Sequence, residues 1–103
     1  MEMCRGSHLC AILDPAAIPE LPGLDDYIAL GCVPGGTQRN FDALRDGLPP
    51  LASHELAVLC DPQTSGGLLV AVSPSAVEDV QQLLTERAIP STVVGSFLSL
   101  IHI

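Results

Sequence analysis

The run Leu68-Leu69-Val70-Ala71-Val72 constrains the fold most, and no apolar stretch in the chain is longer. Apolar side chains on both parities predict a strand covered on both faces. A single helix cannot supply both covers, so the run calls for a sheet with helices around it. The sequence downstream offers such a helix. Ser75-Ala76-Val77-Glu78 has the S-x-x-E form of a capping box. It predicts a helix to about Arg87 with Val77, Val80, Leu83, Leu84 and Ala88 on one side. Ser91 to Phe97 then returns as a strand. Strand, helix and strand across 68–97 predict a right-handed βαβ unit.

Upstream, proline and glycine cut the chain into short elements. Cys10 to Leu13 reads as a short strand ended by Asp14-Pro15. Pro15 to Gly23 has room for at most one helical turn between its prolines. Leu24, Tyr27 and Ile28 recur at helical spacing, with Asp25 and Asp26 in the first turn, where the helix dipole favours anions. Gly31 is a stop signal and Pro34 prevents continuation. Pro34 to Thr37 reads as a turn, with Thr37 or Asn40 as cap of a helix carrying Phe41 and Leu44 and ending near Gly47. Ser53 to Cys60 reads as another short helix, with Ser53 as its cap; a buried strand is the alternative. The pattern predicts an α+β fold: a small mixed sheet with flanking helices.

Composition narrows the function. The formal net charge is −8 and the cations are Arg5, Arg39, Arg45 and Arg87, with no lysine. Nucleic-acid binding needs clustered Lys or Arg, so no nucleic-acid partner is expected, nor an anionic membrane surface. No apolar run approaches the roughly 20 residues of a membrane span, and no secretory h-region follows Met1. Cys4, Cys10, Cys32 and Cys60 form no C-x-x-C pair. Reduced, mostly buried cysteines in a cytoplasmic protein are the expectation. His8, His54 and His102 read as isolated, the acidic residues as a solvated face, and no metal ligand is assigned.

The segment with the most chemical character is Asp61-Pro62-Gln63-Thr64-Ser65-Gly66-Gly67, directly before the apolar run. Its bland reading is a connection: an Asx-turn at Asp61 and glycines supplying positive φ. Its functional reading is a loop facing a site, with successive glycine N–H groups forming an anion nest. Gln63, Thr64 and Ser65 offer hydrogen bonds, but no histidine close in sequence activates either hydroxyl. For Gly35, Gly36, Thr37 and Asn40, capping and secondary lining of the same site stand as equal readings. Cys60 lacks a cationic neighbour in sequence and reads as a buried, inert thiol.

Cys60-Asp61-Pro62-Gln63-Thr64-Ser65-Gly66-Gly67-Leu68-Leu69-Val70-Ala71-Val72 resembles the C-terminal domain signature of selenophosphate synthetases (selenide, water dikinases). Leu13-Asp14, Ile18-Pro19 and Leu21-Pro22-Gly23 agree in order, as do Gly31 to Thr37 with Asn40, and Val93-Val94-Gly95. The resemblance covers about residues 3–97. It implies a fold related to aminoimidazole-ribonucleotide synthetase. It implies a reaction of selenide, ATP and water giving selenophosphate, AMP and phosphate, with Mg2+ as cofactor. The implied partners are an N-terminal catalytic domain and, at full length, a second copy in a homodimer. The family's reactive cysteine or selenocysteine, essential lysine and metal-holding aspartates lie in segments with no counterpart here. The resemblance therefore implies no catalytic residue in this segment, no ATP or Mg2+ bound by it alone, and no activity by itself. The expected division is 1–97 as a C-terminal-type domain truncated on its N-terminal side, and 98–103 as a tail. Leu98 to Ile103 reads as adaptor read-through, a disordered tail or a genuine short strand. A non-enzymatic binding or assembly module, or a fragment of another ATP-dependent enzyme of the superfamily, are the alternatives.

Overall fold

The computed structural model describes residues 1–99. Its helices are α1 (Glu2–Ser7), α2 (Leu24–Ala29), α3 (Gly35–Leu44), α4 (Ser53–Leu59) and α5 (Val77–Glu86). Its strands are β1 (Leu9–Leu13) and β2 (Gly95–Ser99). The class is α+β, as the pattern predicts. Among the described residues no helix is long and apolar enough to cross a membrane.

The sheet joins the two ends of the described chain. β1 and β2 run antiparallel, pairing Leu9 with Ser99 and Leu13 with Gly95. Asp14 N–H extends the ladder to Val94 C=O at 2.8 Å. Position 95 must be glycine for this pairing, because a Cβ there would run into the Ile12 carbonyl oxygen. Asp14 then turns the chain: its carboxylate accepts from Ala16 N–H at 3.1 Å, opening one 3-10 turn at Pro15–Ala17.

α2 stops where the sequence says it should. Gly31 has φ 80°, its N–H bonds to Ile28 C=O, and Cys32 N–H bonds to Tyr27 C=O. These two bonds are a Schellman closure, which satisfies carbonyls the helix end leaves unpaired.

Three expectations about helix starts are corrected. Gly35, Gly36 and Thr37 are not a turn but the first turn of α3, and neither Thr37 nor Asn40 caps it. Pro34 precedes the helix with φ −62° and ψ 148° and delivers the chain without a side-chain cap. Ala52, not Ser53, sits at the start of α4, and its N–H is taken by Glu55 Oε1 at 3.1 Å. Ser75 lies inside the 3-10 turn Pro74–Ala76, so the S-x-x-E box ahead of α5 is not made.

The larger correction concerns Leu68–Val72. These residues form no strand, and the sheet among the described residues has two strands. The βαβ unit is therefore absent: α5 leads into β2, but the strand before it has nothing to pair with. β1 and β2 pair with one another, and among the described residues no further strand joins either outer edge. Leu68 is 94% exposed and Leu69 66%. An apolar run without hydrogen-bonding neighbours cannot satisfy its backbone as a strand. Leu83 of α5 is likewise exposed, since no sheet lies beneath the helix.

Burial is sparse elsewhere. The Cα radius of gyration is 15.3 Å, against about 13 Å for a compact domain of this length. The buried residues among those described are Thr37 in α3, Ala57 in α4 and Cys60 just after it. The core thus sits at the α3–α4 junction. Of the four free cysteines only Cys60 is buried; Cys4 and Cys10 are half-buried and Cys32 is exposed, which corrects the expectation of mostly buried thiols. The expected tail at 98–103 begins inside β2, where Leu98 pairs with Cys10. Residues 100–103, including His102, lie outside the described residues.

Candidate functional site

The loop Asp61–Gly67 leaves the chain's tightest junction. α4 ends with Cys60, which is 5% exposed. Burial pushes its thiol pKa up, the direction of an inert thiol rather than a nucleophile. Asn40 Nδ2 donates to Cys60 C=O at 2.9 Å. Two residues on, Pro62 lies against the first turn of α3. A Cβ on Gly36 would be 2.9 Å from Pro62 Cγ, so only glycine admits the ring at this distance. Gln63 N–H closes a tight turn onto Asp61 C=O at 2.9 Å.

Beyond Pro62 the loop is open. Asp61 is half-buried; Gln63, Thr64, Ser65, Gly66 and Gly67 are exposed, and the chain bends at Thr64–Ser65. The side-chain oxygen of Gln63 lies over Gly66, 2.6 Å from where a Cβ would stand. Neither Gly66 nor Gly67 adopts positive φ, so the left-handed glycine conformation and a nest alternating right- and left-handed residues are not formed here. Asp61 and Gln63 reach a cleft of about 200 Å³ shared with Ile18, Leu24, Pro34 and Val58.

The candidate residues thus fall into two groups. Gly36 and Asn40 touch the loop from α3, and Thr37, 1% exposed, sits between them with its hydroxyl lacking a hydrogen-bond partner. Gly35 is exposed at the helix start. Sequence reasoning missed Arg39, whose Nη2 lies 3.7 Å from the would-be Gly36 Cβ. It places one of the few cations beside the first turn of α3 and Pro62. Its scattered position among four arginines carried no signal of this.

Sequence reasoning also missed a second cluster. His54 is not isolated: its Nε2 lies 2.5 Å from Asp25 Oδ1 and 3.9 Å from Glu20 Oε2. The hydrogen bond to Asp25 raises the His54 pKa above its ordinary value, and the charges of Asp25, Glu20 and Glu55 act the same way. Glu20, Asp25 and His54 carry metal-ligand-type atoms within 4.8 Å of one another at an exposed cleft of about 380 Å³. Asp25 is 29 positions from His54 and Glu20 lies farther still, so no local spacing announces the cluster. On α3, Asp42 is held below its usual pKa by hydrogen bonds from Gln38 and then Arg45.

Together these features define a small α+β fold that presents a polar, glycine-rich loop from a junction of two helices. Over 96 residues, 93% of this chain, it is 53% identical to selenide, water dikinases of Shewanella sp. strain W3-18-1, Shewanella putrefaciens and Shewanella baltica. The chain is therefore a homologue of the selenide, water dikinases, matching their C-terminal part. It spans 27% of the length of these curated relatives. No family model matches the sequence.

Proposed function

We propose that this segment is the C-terminal part of a selenophosphate synthetase, and that Asp61–Gly67 forms one wall of its phosphoryl-transfer site. The observation that carries the reading is the 53% identity across nearly the whole chain to proteins named for the reaction. The loop supports it. Gln63, Thr64 and Ser65 supply neutral hydrogen-bonding groups, with Arg39 the nearby cation. Such groups orient phosphate oxygens and water without reacting with them.

The segment does not hold the nucleotide and Mg2+ by itself. The carboxylate at the loop is Asp61, and the one clustered ligand-type set among the described residues, Glu20, Asp25 and His54, includes no loop residue. A polyphosphate needs several groups to neutralise its charge. In this reading the ATP and Mg2+ sites, the nucleophile and the dimer contacts belong to an N-terminal catalytic domain. The segment alone is inactive toward selenide.

Fusing residues 1–97 to the N-terminal part of the Shewanella putrefaciens relative and measuring selenide-dependent AMP formation tests the reading. The expected result is activity in the fusion and none in the 103-residue chain. A soluble, folded fusion with no AMP formation overturns it and favours a binding module.

A further inference from the structure

We infer that Gly36 and Asn40 are positioning residues, a two-point clamp on α3 that fixes where the Asp61–Gly67 loop leaves α4. Positions four apart lie on one face of a helix. One stripe of α3 therefore meets both residue 60 and residue 62. The upper point is a hydrogen bond, Asn40 Nδ2 to Cys60 C=O at 2.9 Å. It satisfies a carbonyl at the end of α4, where intrahelical partners run out. The lower point is a steric fit, Pro62 seated on the bare backbone of Gly36. Proline cannot extend the helix, so the chain must turn away at this residue.

The clamp also lies where the described residues are most deeply buried. The residues buried among those described, Thr37, Ala57 and Cys60, all belong to this junction. The loop beyond is exposed; within it Gln63 N–H bonds to Asp61 C=O and the Gln63 side chain lies over Gly66, while Asp61 and Gln63 edge the cleft shared with Ile18 and Leu24. The direction of its exit is thus set from α3. This gives the G-G-T-x-x-N segment a role distinct from lining a site: its glycine and asparagine act through the loop. That the positioned loop serves phosphoryl transfer rests on the proposed function; the clamp itself does not.

The test uses the 103-residue chain and needs no catalysis. Thiol labelling resolved by site follows Cys60, with exposed Cys32 and half-buried Cys10 as internal references. Loss of a hydrogen bond of ordinary strength in Asn40→Ala should raise the Cys60 labelling rate about three- to tenfold. Cys10 and Cys32 should keep their rates. Backbone 15N relaxation should show lower order parameters across Gln63–Gly67 and no change in β1 or β2. Asn40→Asp keeps the side chain's size but loses the N–H donor, and should behave like Asn40→Ala. Gly36→Ala acts from the other point and should shift the Gln63 amide resonance while the hydrogen-bond donor stays intact. Unchanged Cys60 labelling and loop relaxation in the Asn40 variants would overturn the clamp. So would an equal rise at Cys10 and Cys60, which marks general loosening. Failure here leaves the fusion assay intact, and failure of the fusion assay leaves this result intact.

Discussion

Residues 60–62 and residues 68–72 belong to one continuous motif, yet the first part is anchored and the apolar run is bare. Cys60 and Pro62 are each met by a specific group on α3, Asn40 and Gly36. Leu68 and Leu69 meet almost nothing, although every side chain in the run favours burial. The difference lies in what each needs. A capping hydrogen bond and a proline seat require one neighbouring helix, which the chain supplies. A strand requires pairing along an edge and cover on its faces, and among the described residues 68–72 has neither. Hydrophobicity sets a run's demand for burial; backbone pairing decides whether it becomes a strand.

Substitutions can break this contrast from either side. The largest effect is expected at Gly36→Ala, where the new Cβ meets a ring that cannot rotate away. Overpacking of this kind costs about 1–3 kcal/mol, read as a lower urea midpoint. Asn40→Ala comes next, since it leaves the Cys60 carbonyl without its donor; the loss should be about 1 kcal/mol in the same assay. In the bare run, Leu68→Ser or Val70→Ser should change stability by less than about 0.5 kcal/mol. Both should reduce self-association measured by sedimentation, because they shrink an exposed apolar patch. A large stability loss at Leu68 would show that the run is covered within this chain after all.

The smallest effect involves His54, at the α2–α4 contact. Its pKa is raised, chiefly by the hydrogen bond to Asp25. The stability this pair contributes is therefore fully present below the unfolded pKa of 6.5 and is lost as pH rises through the higher folded value. Proton NMR should show His54 titrating above 6.5, with Asp25→Asn moving it back down. Because the pair is exposed, denaturation midpoints should differ little between wild type and Asp25→Asn even at low pH.

The parts of the fold legible in the sequence are those governed by local chemistry. Gly31 stops α2 through backbone bonds within its own turn, and Asp14 turns the chain through Ala16 two residues on. Helical spacing placed α2 and α5 to within a residue or two of their ends, while α4 was read as a helix from Ser53 as a cap, a role that Ala52 holds instead. What escaped depended on distant partners. β2 begins at Gly95 rather than Ser91 because β1 sets its register from the far end of the chain. Ser53, Ser75 and Thr37 have cap-type side chains but do not cap; Pro34, Ala52 and Ala76 hold those positions instead. The candidate loop was visible as a motif, whereas its attachment to Gly36 and Asn40 and its proximity to Arg39 required coordinates.

If Asp61–Gly67 is a site wall rather than a connection, its exposed polar side chains must matter to the reaction. Steady-state kinetics of the fusion enzyme carrying Gln63→Ala, Thr64→Ala and Ser65→Ala together tests it most directly. All three side chains are exposed, so the variant should fold with near-parental stability. Selenide-dependent AMP formation should fall by about 10²-fold or more, the scale expected when reacting groups lose their alignment. A stable, folded triple variant with parental kcat and KM would contradict it.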